Sequence, residues 1–383
     1  VFNKIAVRGL ALALLAMLAA GCQSAGPEDV LGLDPNTPIP AQETTGAGPV
    51  AITLLLPRTG ERGAALLARD VHDGARLAVT ELGAGAIRLI TFDTNGKADT
   101  ARGQAEQAVA AGTKLILTGL DSASTSAVAG IAASNGPVVI DLTSARPAGK
   151  GAHAFASDAI SSALEGVRMA VGAKQSRIVV ATPEGMAAAD IDRLKRGIAA
   201  QGGTLTGVAS YPEAESAIGS ALARSRAAFE KAQTMVLFGS GRAPAVVARA
   251  VASGGYGNNI TTLIGNSSWP PELFTDPVFD GVLIAMIDQR SLKELGDRYS
   301  AATGRPLSLE AAYAYDAVAL AAGLVRSAGS DAINNKALSS QAGFRGTTGI
   351  FRFDANGGVE RRHRIYRIES GRAQPLGDQP ETF

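Results

Sequence analysis

Cysteine is nearly absent from this 383-residue chain, which has a single one at position 22. One Cys excludes an intrachain disulfide framework and any Cys-cluster zinc or iron–sulfur site. Histidine is almost as scarce. His72, His153 and His363 lie scattered along the chain, too few for a histidine metal centre, so neither metal nor cofactor is expected. An excess of charge of one sign is missing as well. With 36 basic and 35 acidic side chains the net charge is +1, which provides no global drive toward nucleic acid. Catalytic signatures are absent too: there is no G-x-S-x-G elbow, no S-x-x-K pair and no H-E-x-x-H helix. What is present is apolar. Hydrophobic residues make up 46% of the chain against 19% charged and 5% aromatic, the balance of a packed globular protein and not of a disordered one. At about 100–200 residues per domain, the length suggests two domains.

The single Cys has a particular setting. Lys4 and Arg8 flank the start of an apolar stretch, residues 9–20, too short to cross a bilayer, which takes about 20 residues. A positive start, a short apolar middle and small residues before a boundary describe a secretory signal. The boundary reads Leu18-Ala19-Ala20-Gly21-Cys22 and resembles the lipobox of bacterial lipoproteins. That resemblance implies a signal peptide over 1–21, acylation of Cys22 and cleavage before it. Ala19 stands where the lipobox usually has Leu, with Leu18 one step earlier. Gln23 follows the Cys where an Asp would favour retention, so by the same resemblance transfer to the outer membrane is favoured. Residues 22–49 hold Pro27, Pro35, Pro38, Pro40 and Pro49 with no periodic apolar pattern and read as a flexible linker. A tether on an acyl anchor keeps the globular part near a membrane without inserting it.

From Val50 the chain alternates short β-branched runs (50–56, 87–92, 115–118, 138–140) with helical patterns (64–82, 100–111, 124–134). The alternation restarts near residue 175, with strands at 178–181, 205–211, 235–238, 262–264 and 282–287. Helices lie between them at 187–200, 214–231 and 244–253. Such alternation specifies parallel sheets covered by helices on both faces, and the restart specifies two doubly wound α/β lobes. Helical patterns at 292–302 and 309–327 come next. Two alternating runs, 349–354 and 361–368, are joined by Ala355-Asn356-Gly357-Gly358, a hairpin signal. The basic run Arg361-Arg362-His363-Arg364 reads as a solvated hairpin face, because alternation splits its charges between two faces.

Several pieces occur in a set order: Ile52-Thr53-Leu54-Leu55-Leu56-Pro57 with Thr59-Gly60, Asp73-Gly74-Ala75-Arg76, Asp93, and Leu120-Asp121-Ser122-Ala123-Ser124-Thr125. Tyr313-Ala314-Tyr315-Asp316-Ala317, Phe344-Arg345-Gly346 and Phe353-Asp354-Ala355-Asn356-Gly357 complete the order. Over residues 50–370 this resembles the type I periplasmic binding proteins of the leucine/isoleucine/valine-binding group. The resemblance implies two Rossmann-like lobes joined by three crossovers, with a ligand cleft between them. The crossovers are placed near Asp158, Asp288 and Ser330, giving one lobe of 50–158 with 289–330 and a second of 159–288 with 331–377.

Ligands of open α/β sheets bind beyond the carboxyl ends of the strands. The polar groups there are Arg58 and Thr59 after the first strand, Ser122 after the third, Thr143 and Ser144 after the fourth, and Ser267. The segment from Asp121 opens a helix whose first free N–H groups suit an anion, though helix capping is the competing role for Ser122 and Ser124. By resemblance, Ser122 and Thr143 match carboxylate-contacting positions. Other matches fail: Ala145 replaces a hydroxyl, Ser267 replaces the Glu that pairs with an ammonium, and Gly241 and the Gly185-Met186 region lack aromatics. A buried ammonium without a carboxylate is costly, so either the cleft is not built for a free amino acid or its carboxylate partner stands at another position. Trp269, the only Trp, either walls the cleft or packs in the core at a Pro270-Pro271 corner. Gly239-Ser240-Gly241 lacks the third glycine and the acid of a dinucleotide turn.

Two non-enzymatic functions are implied by the resemblance. One is a lipid-anchored periplasmic receptor of the leucine-binding type that closes on a small polar ligand, amino-acid-like or other, for an ABC importer. The other is an outer-membrane lipoprotein that activates a penicillin-binding protein, the branch of this fold that regulates peptidoglycan synthesis. Neither reading calls for nucleic acid.

Overall fold

The computed structural model describes residues 39–83, 85–133 and 136–383; the signal segment, Cys22 and the linker as far as residue 38 lie outside them. Residues Ala41–Phe383 form a unit of their own. Its first sheet has the order β1-β3-β2-β4-β5-β6. Here β1 is Gln42–Thr45, β2 Val50–Leu56, β3 Ile87–Asp93, β4 Leu115–Thr118, β5 Val138–Asp141 and β6 Ala152–Ala154. Strands β2 to β6 run parallel, and all seven residues of β2 are buried, as expected of a strand covered on both faces. Alternate side chains divide between two cores. Ile52, Leu54 and Leu56 join one, while Leu55 joins the other with Ile116 and Val139. The strand β1 lies within the segment expected to be linker. It pairs antiparallel with the outer edge of β3, whose free N–H and C=O groups recruit it, and its Glu43 reaches Arg58 at 3.2 Å and His72 at 3.4 Å.

Helices α1 (Arg62–Ala78), α2 (Ala98–Ala110) and α3 (Ser122–Ala132) cover this sheet. The chain then crosses: Phe155 belongs to the first core, and Ile160 belongs to a core of the second lobe. Between them Asp158 caps α4 (Ala159–Gly172), accepting from the Ser161 N–H at 2.8 Å. In the second lobe β7 (Arg177–Pro183), β8 (Thr204–Tyr211), β9 (Thr234–Leu237), β10 (Thr262–Ile264) and β11 (Leu283–Met286) form the parallel part of a seven-stranded sheet. Helix α5 (Ala188–Ala200) packs with α4 on one face. The pattern over 214–231 is two helices, α6 (Glu215–Ala223) and α7 (Arg226–Lys231), which lie with α8 (Ala243–Ser253) on the other face. A second crossing comes after β11, since Ile284 belongs to the second lobe and Ile287 to the first. Asp288 caps α9 (Gln289–Thr303), and α10 (Leu309–Ala328) packs along α1.

Gly74 permits that packing. A Cβ there would lie 2.2 Å from the Ala311 carbonyl oxygen of α10, so the Asp73-Gly74 motif is a site of close helix approach.

The third crossing lies elsewhere than expected. Residues 331–362, assigned from the sequence to the second lobe, pack with the first. Ile333 and Leu338, the latter on α11 (Asn335–Leu338), join the first core with Phe351, Phe353 and Val359. The last three come from a small sheet of β12 (Phe344–Gly346), β13 (Gly349–Phe353) and β14 (Val359–Arg362). The reason is aromatic burial: Phe351 packs edge-to-face and Phe353 tilted against Phe155, at 4.8 and 5.9 Å between ring centroids. The hairpin around 354–358 pairs Phe353 with Val359, but its second run breaks at His363. Beyond it β15 (Arg364–Glu369) enters the second sheet antiparallel to β11, and β16 (Arg372–Pro375) pairs with β15. The chain therefore crosses at His363, not near Ser330. The basic run is accordingly no solvated face: Arg361 and His363 are 5% and 2% exposed.

Candidate functional site

The carboxyl ends of β2, β4 and β5 are adjacent in the first sheet, and they carry Arg58, Thr59, Ser122, Thr143 and Ser144 to one edge. Much of this polar set is already engaged. Arg58 forms an ion pair with Glu43. Thr59 donates its N–H and hydroxyl to Asp93 at 3.1 and 2.5 Å. Thr143 donates both to Asp141 at 3.0 and 3.1 Å, and the Ser144 hydroxyl donates to the Arg146 carbonyl at 2.6 Å. Each strand end thus closes on an acid: Asp93, Asp121 and Asp141. Burial pushes the Asp141 carboxyl up despite the bonds from Thr143. Asp121, not Ser122 or Ser124, caps α3. It accepts from the Ser124 hydroxyl at 2.6 Å and the Ser124 N–H at 2.9 Å, and the hydroxyl bond leads in holding its carboxyl below the usual range. The helix end expected to take a ligand anion therefore already carries this carboxylate.

Ser122 is exposed at the first turn of α3, and its hydroxyl has no partner among the described residues. In the second lobe Ser267 is exposed beyond the end of β10. Its N–H donates to the Ser162 hydroxyl at 2.9 Å, and its own hydroxyl has no partner among the described residues. Trp269 resolves toward the core. It is 4% exposed, belongs to the second-lobe core and packs tilted against Phe279 at 4.9 Å between ring centroids. It does not wall the cleft.

One contact joins the two edges. Arg146, two residues beyond Ser144, pairs with Asp190 at the start of α5. Neither residue stood out in the sequence. Arg146 is followed by Pro147, and Asp190 sits in an ordinary amphipathic helix.

The crossings form a cluster of their own. At the first, the Ser157 N–H donates to the Tyr313 hydroxyl at 3.2 Å, and the Ser157 hydroxyl lies 3.1 Å from His363 Nε2 at the third. Arg361 donates to the Phe155 carbonyl at 2.8 Å and to the Thr348 hydroxyl at 2.5 Å. Its guanidinium sits among the rings of Phe155, Tyr313 and Phe351 at 4.9–5.2 Å. Burial lowers the Arg361 pKa, yet a guanidinium stays charged. Burial and that charge push the His363 imidazole down to about 3. At the second crossing burial works to raise the Asp288 carboxyl, but Arg364 at 3.2 Å, the Arg290 N–H and the Tyr366 hydroxyl together hold it low. Beside the hinge, Glu165 receives both Arg168 and Arg362. The sequence signal for this cluster was the basic run itself, four cationic or titratable residues within a strand pattern.

Asp316 ties the last segment of the first lobe to α10. It accepts from the N–H and hydroxyl groups of Thr347 and Thr348 at 2.5–2.8 Å. Gly346 leaves room for this, since a Cβ would lie 2.4 Å from the carboxylate.

Comparison with known proteins agrees with this architecture. The sequence profile of the family described as periplasmic binding protein matches residues 49–373. No curated protein sequence matches. Among solved structures, one titled a putative branched-chain amino acid ABC transporter from Rhodospirillum rubrum superposes with a TM-score of 0.69. It has 19% identity and covers 85% of this chain and 99% of that one. An ABC-type branched-chain amino acid transporter of Rhodopseudomonas palustris gives 0.61 at 17% identity, covering 86% and 96%. An ABC transporter substrate-binding protein from Sphaerobacter thermophilus gives 0.59 at 17%, covering 87% and 98%. At these identities the likeness is one of fold.

Proposed function

Because this chain belongs to the periplasmic binding protein family, we propose that it is a non-enzymatic periplasmic receptor, closing two lobes over a small polar solute for an ABC importer. The observation that carries the reading is the two-lobed frame with exposed strand-end hydroxyls at Ser122 and Ser267 and the Arg146–Asp190 pair between lobes. Closure is hinge motion about the three crossings, favoured when a ligand contacts both edges. Ser267 supplies a hydroxyl where an ammonium would need a carboxylate, and Asp121 occupies the α3 end where a ligand carboxylate would need free N–H groups. The solute is therefore a neutral or hydroxyl-rich molecule in preference to a free amino acid. Isothermal titration against amino acids, hydroxy acids and polyols tests this. Binding of a hydroxyl-bearing solute, weakened about tenfold by Ser122→Ala or Ser267→Ala, supports it; no heat across the panel overturns it.

The anchor belongs to the same proposal. Among the described residues no helix is long and apolar enough to cross a membrane, and attachment rests on acylated Cys22, with Gln23 favouring the outer membrane. Cys22→Ser is expected to release the protein from membranes with its fold intact; unchanged attachment removes the anchor. The missing carboxylate at Ser267 and the α3 end already occupied by Asp121 support a second reading, activation of a penicillin-binding protein. Capture and stimulation of a murein synthase by a protein that binds no solute would favour it.

A further inference from the structure

Side-chain charges nearly cancel over the whole chain, yet one groove departs from that balance. It runs along the flank of the hinge, where the end of α3 and the loop 145–153 face α4 and α5 of the second lobe. The turn 354–358 forms a further wall. Its volume is about 1730 Å³, and eight Lys or Arg side chains line it against three Asp or Glu. Ion pairs account for part of the excess: Arg168 and Arg362 share Glu165, Arg352 meets Glu360, and Arg146 and Arg193 reach Asp190 and Asp158. Among the described residues, Lys150 and Arg196 are exposed with no acidic partner, and Arg361 on the floor meets no carboxylate directly. The groove lies beside the cleft: Ala145 and Arg146 of the strand-end edge line it, whereas Arg58, Thr59, Ser122, Thr143, Ser144 and Ser267 do not.

We propose that this groove is a second binding site, one that takes an acidic peptide segment of a partner protein. Three observations select that occupant. The volume exceeds the roughly 300–1,000 Å³ of small-molecule pockets. Arg361 on the floor is only 5% exposed, out of reach of a flat bilayer surface. The wall offers one Phe, Tyr or Trp ring, that of Phe383, too few for stacking a run of nucleobases. An extended chain of carboxylates can run along the groove and meet Lys150 on one lobe and Arg196 on the other. Because both lobes contribute, occupancy of the groove and closure of the cleft are thermodynamically linked.

The test uses the full chain and a fluorescein-labelled decamer of glutamate, read by anisotropy at low and physiological ionic strength. Saturable binding is expected, weakening by about tenfold or more with added salt and again in the double variant K150E/R196E. The control R102E/R224E reverses two exposed charges outside the groove and is expected to bind as the parent does. Circular dichroism shows whether each variant keeps its fold. Absence of saturable binding overturns the proposal, as does an equal loss in both double variants. So does binding to phosphatidylglycerol vesicles, but not to the peptide, through Lys150 and Arg196, which would assign the groove to a lipid headgroup.

Discussion

Acidification should weaken this fold through one histidine. His363 sits where the chain crosses for the third time, 2% exposed, with Nε2 on the Ser157 hydroxyl and Nδ1 without a partner. Burial and the Arg361 charge push it down to about 3, whereas in the unfolded chain it titrates near 6.5. The native value is the depressed one. The stability tied to neutral His363 is therefore fully present above about pH 6.5 and is lost progressively as the pH falls toward about 3. Below 6.5 the unfolded chain binds a proton that the native chain refuses, and each further pH unit costs about 1.4 kcal/mol. Between neutrality and pH 5 the loss is about 2 kcal/mol. It depends on the unfolded value alone, because the native one lies well below that window. Urea denaturation of the parent and of His363→Gln at both pH values isolates it. His72, His153 and the carboxylates are common to the two proteins and cancel. Whatever Gln costs at neutral pH, the parent should lose about 2 kcal/mol more than the variant on going to pH 5. Parallel losses would refute the reasoning, since they would mean that His363 accepts its proton in the folded state.

Other substitutions probe the frame around it. Asp316→Ala leaves two N–H groups and two hydroxyls of Thr347 and Thr348 without their acceptor. It should cost about 3–5 kcal/mol in urea denaturation, with Asp316→Asn costing less because one oxygen still accepts. Gly74→Val drives a side chain into the Ala311 carbonyl and should lower stability by about 2–3 kcal/mol, visible as a drop in Tm. Asp190→Ala removes the ion pair to Arg146, whose side chain is 53% exposed. Solvent screening limits its worth to under about 1 kcal/mol, so Tm should barely move, while small-angle scattering should show up to about a fivefold shift toward the open form; an unchanged scattering profile would exclude the pair as a latch.

The frame was legible because its signals are local. Parallel strands buried on both faces must be continuous apolar runs, and 50–56 and 115–118 read as strands on that ground alone. Where the reading went astray, the local signal was the same for two outcomes. Alternation over 361–368 tells which side chains share a face, but not which sheet a strand joins. The switch of sheets at His363 was therefore invisible, and with it the burial of Arg361. Strand β1 is similar: Gln42–Thr45 has no apolar pattern, and it is a strand because β3 offers an open edge. Helix α4 could have been read from Asp158 as a cap followed by Ile160, Ala163, Val167 and Ala170 on one face.

The residues that carried the family resemblance prove to hold the frame. Gly74 brings α1 against α10, Asp316 anchors 347–348, Gly346 makes room for that anchor, and Asp93 and Asp121 close their own loops. None of these needs a ligand to explain it. The departures from the family pattern, Ala145, Ser267 and Gly241, fall instead on the strand ends, where a solute would be read. A resemblance carried by packing residues therefore specifies two hinged lobes and leaves the ligand undetermined. Its chemistry has to be sought in the few strand-end groups the frame does not already occupy, Ser122 and Ser267 first among them.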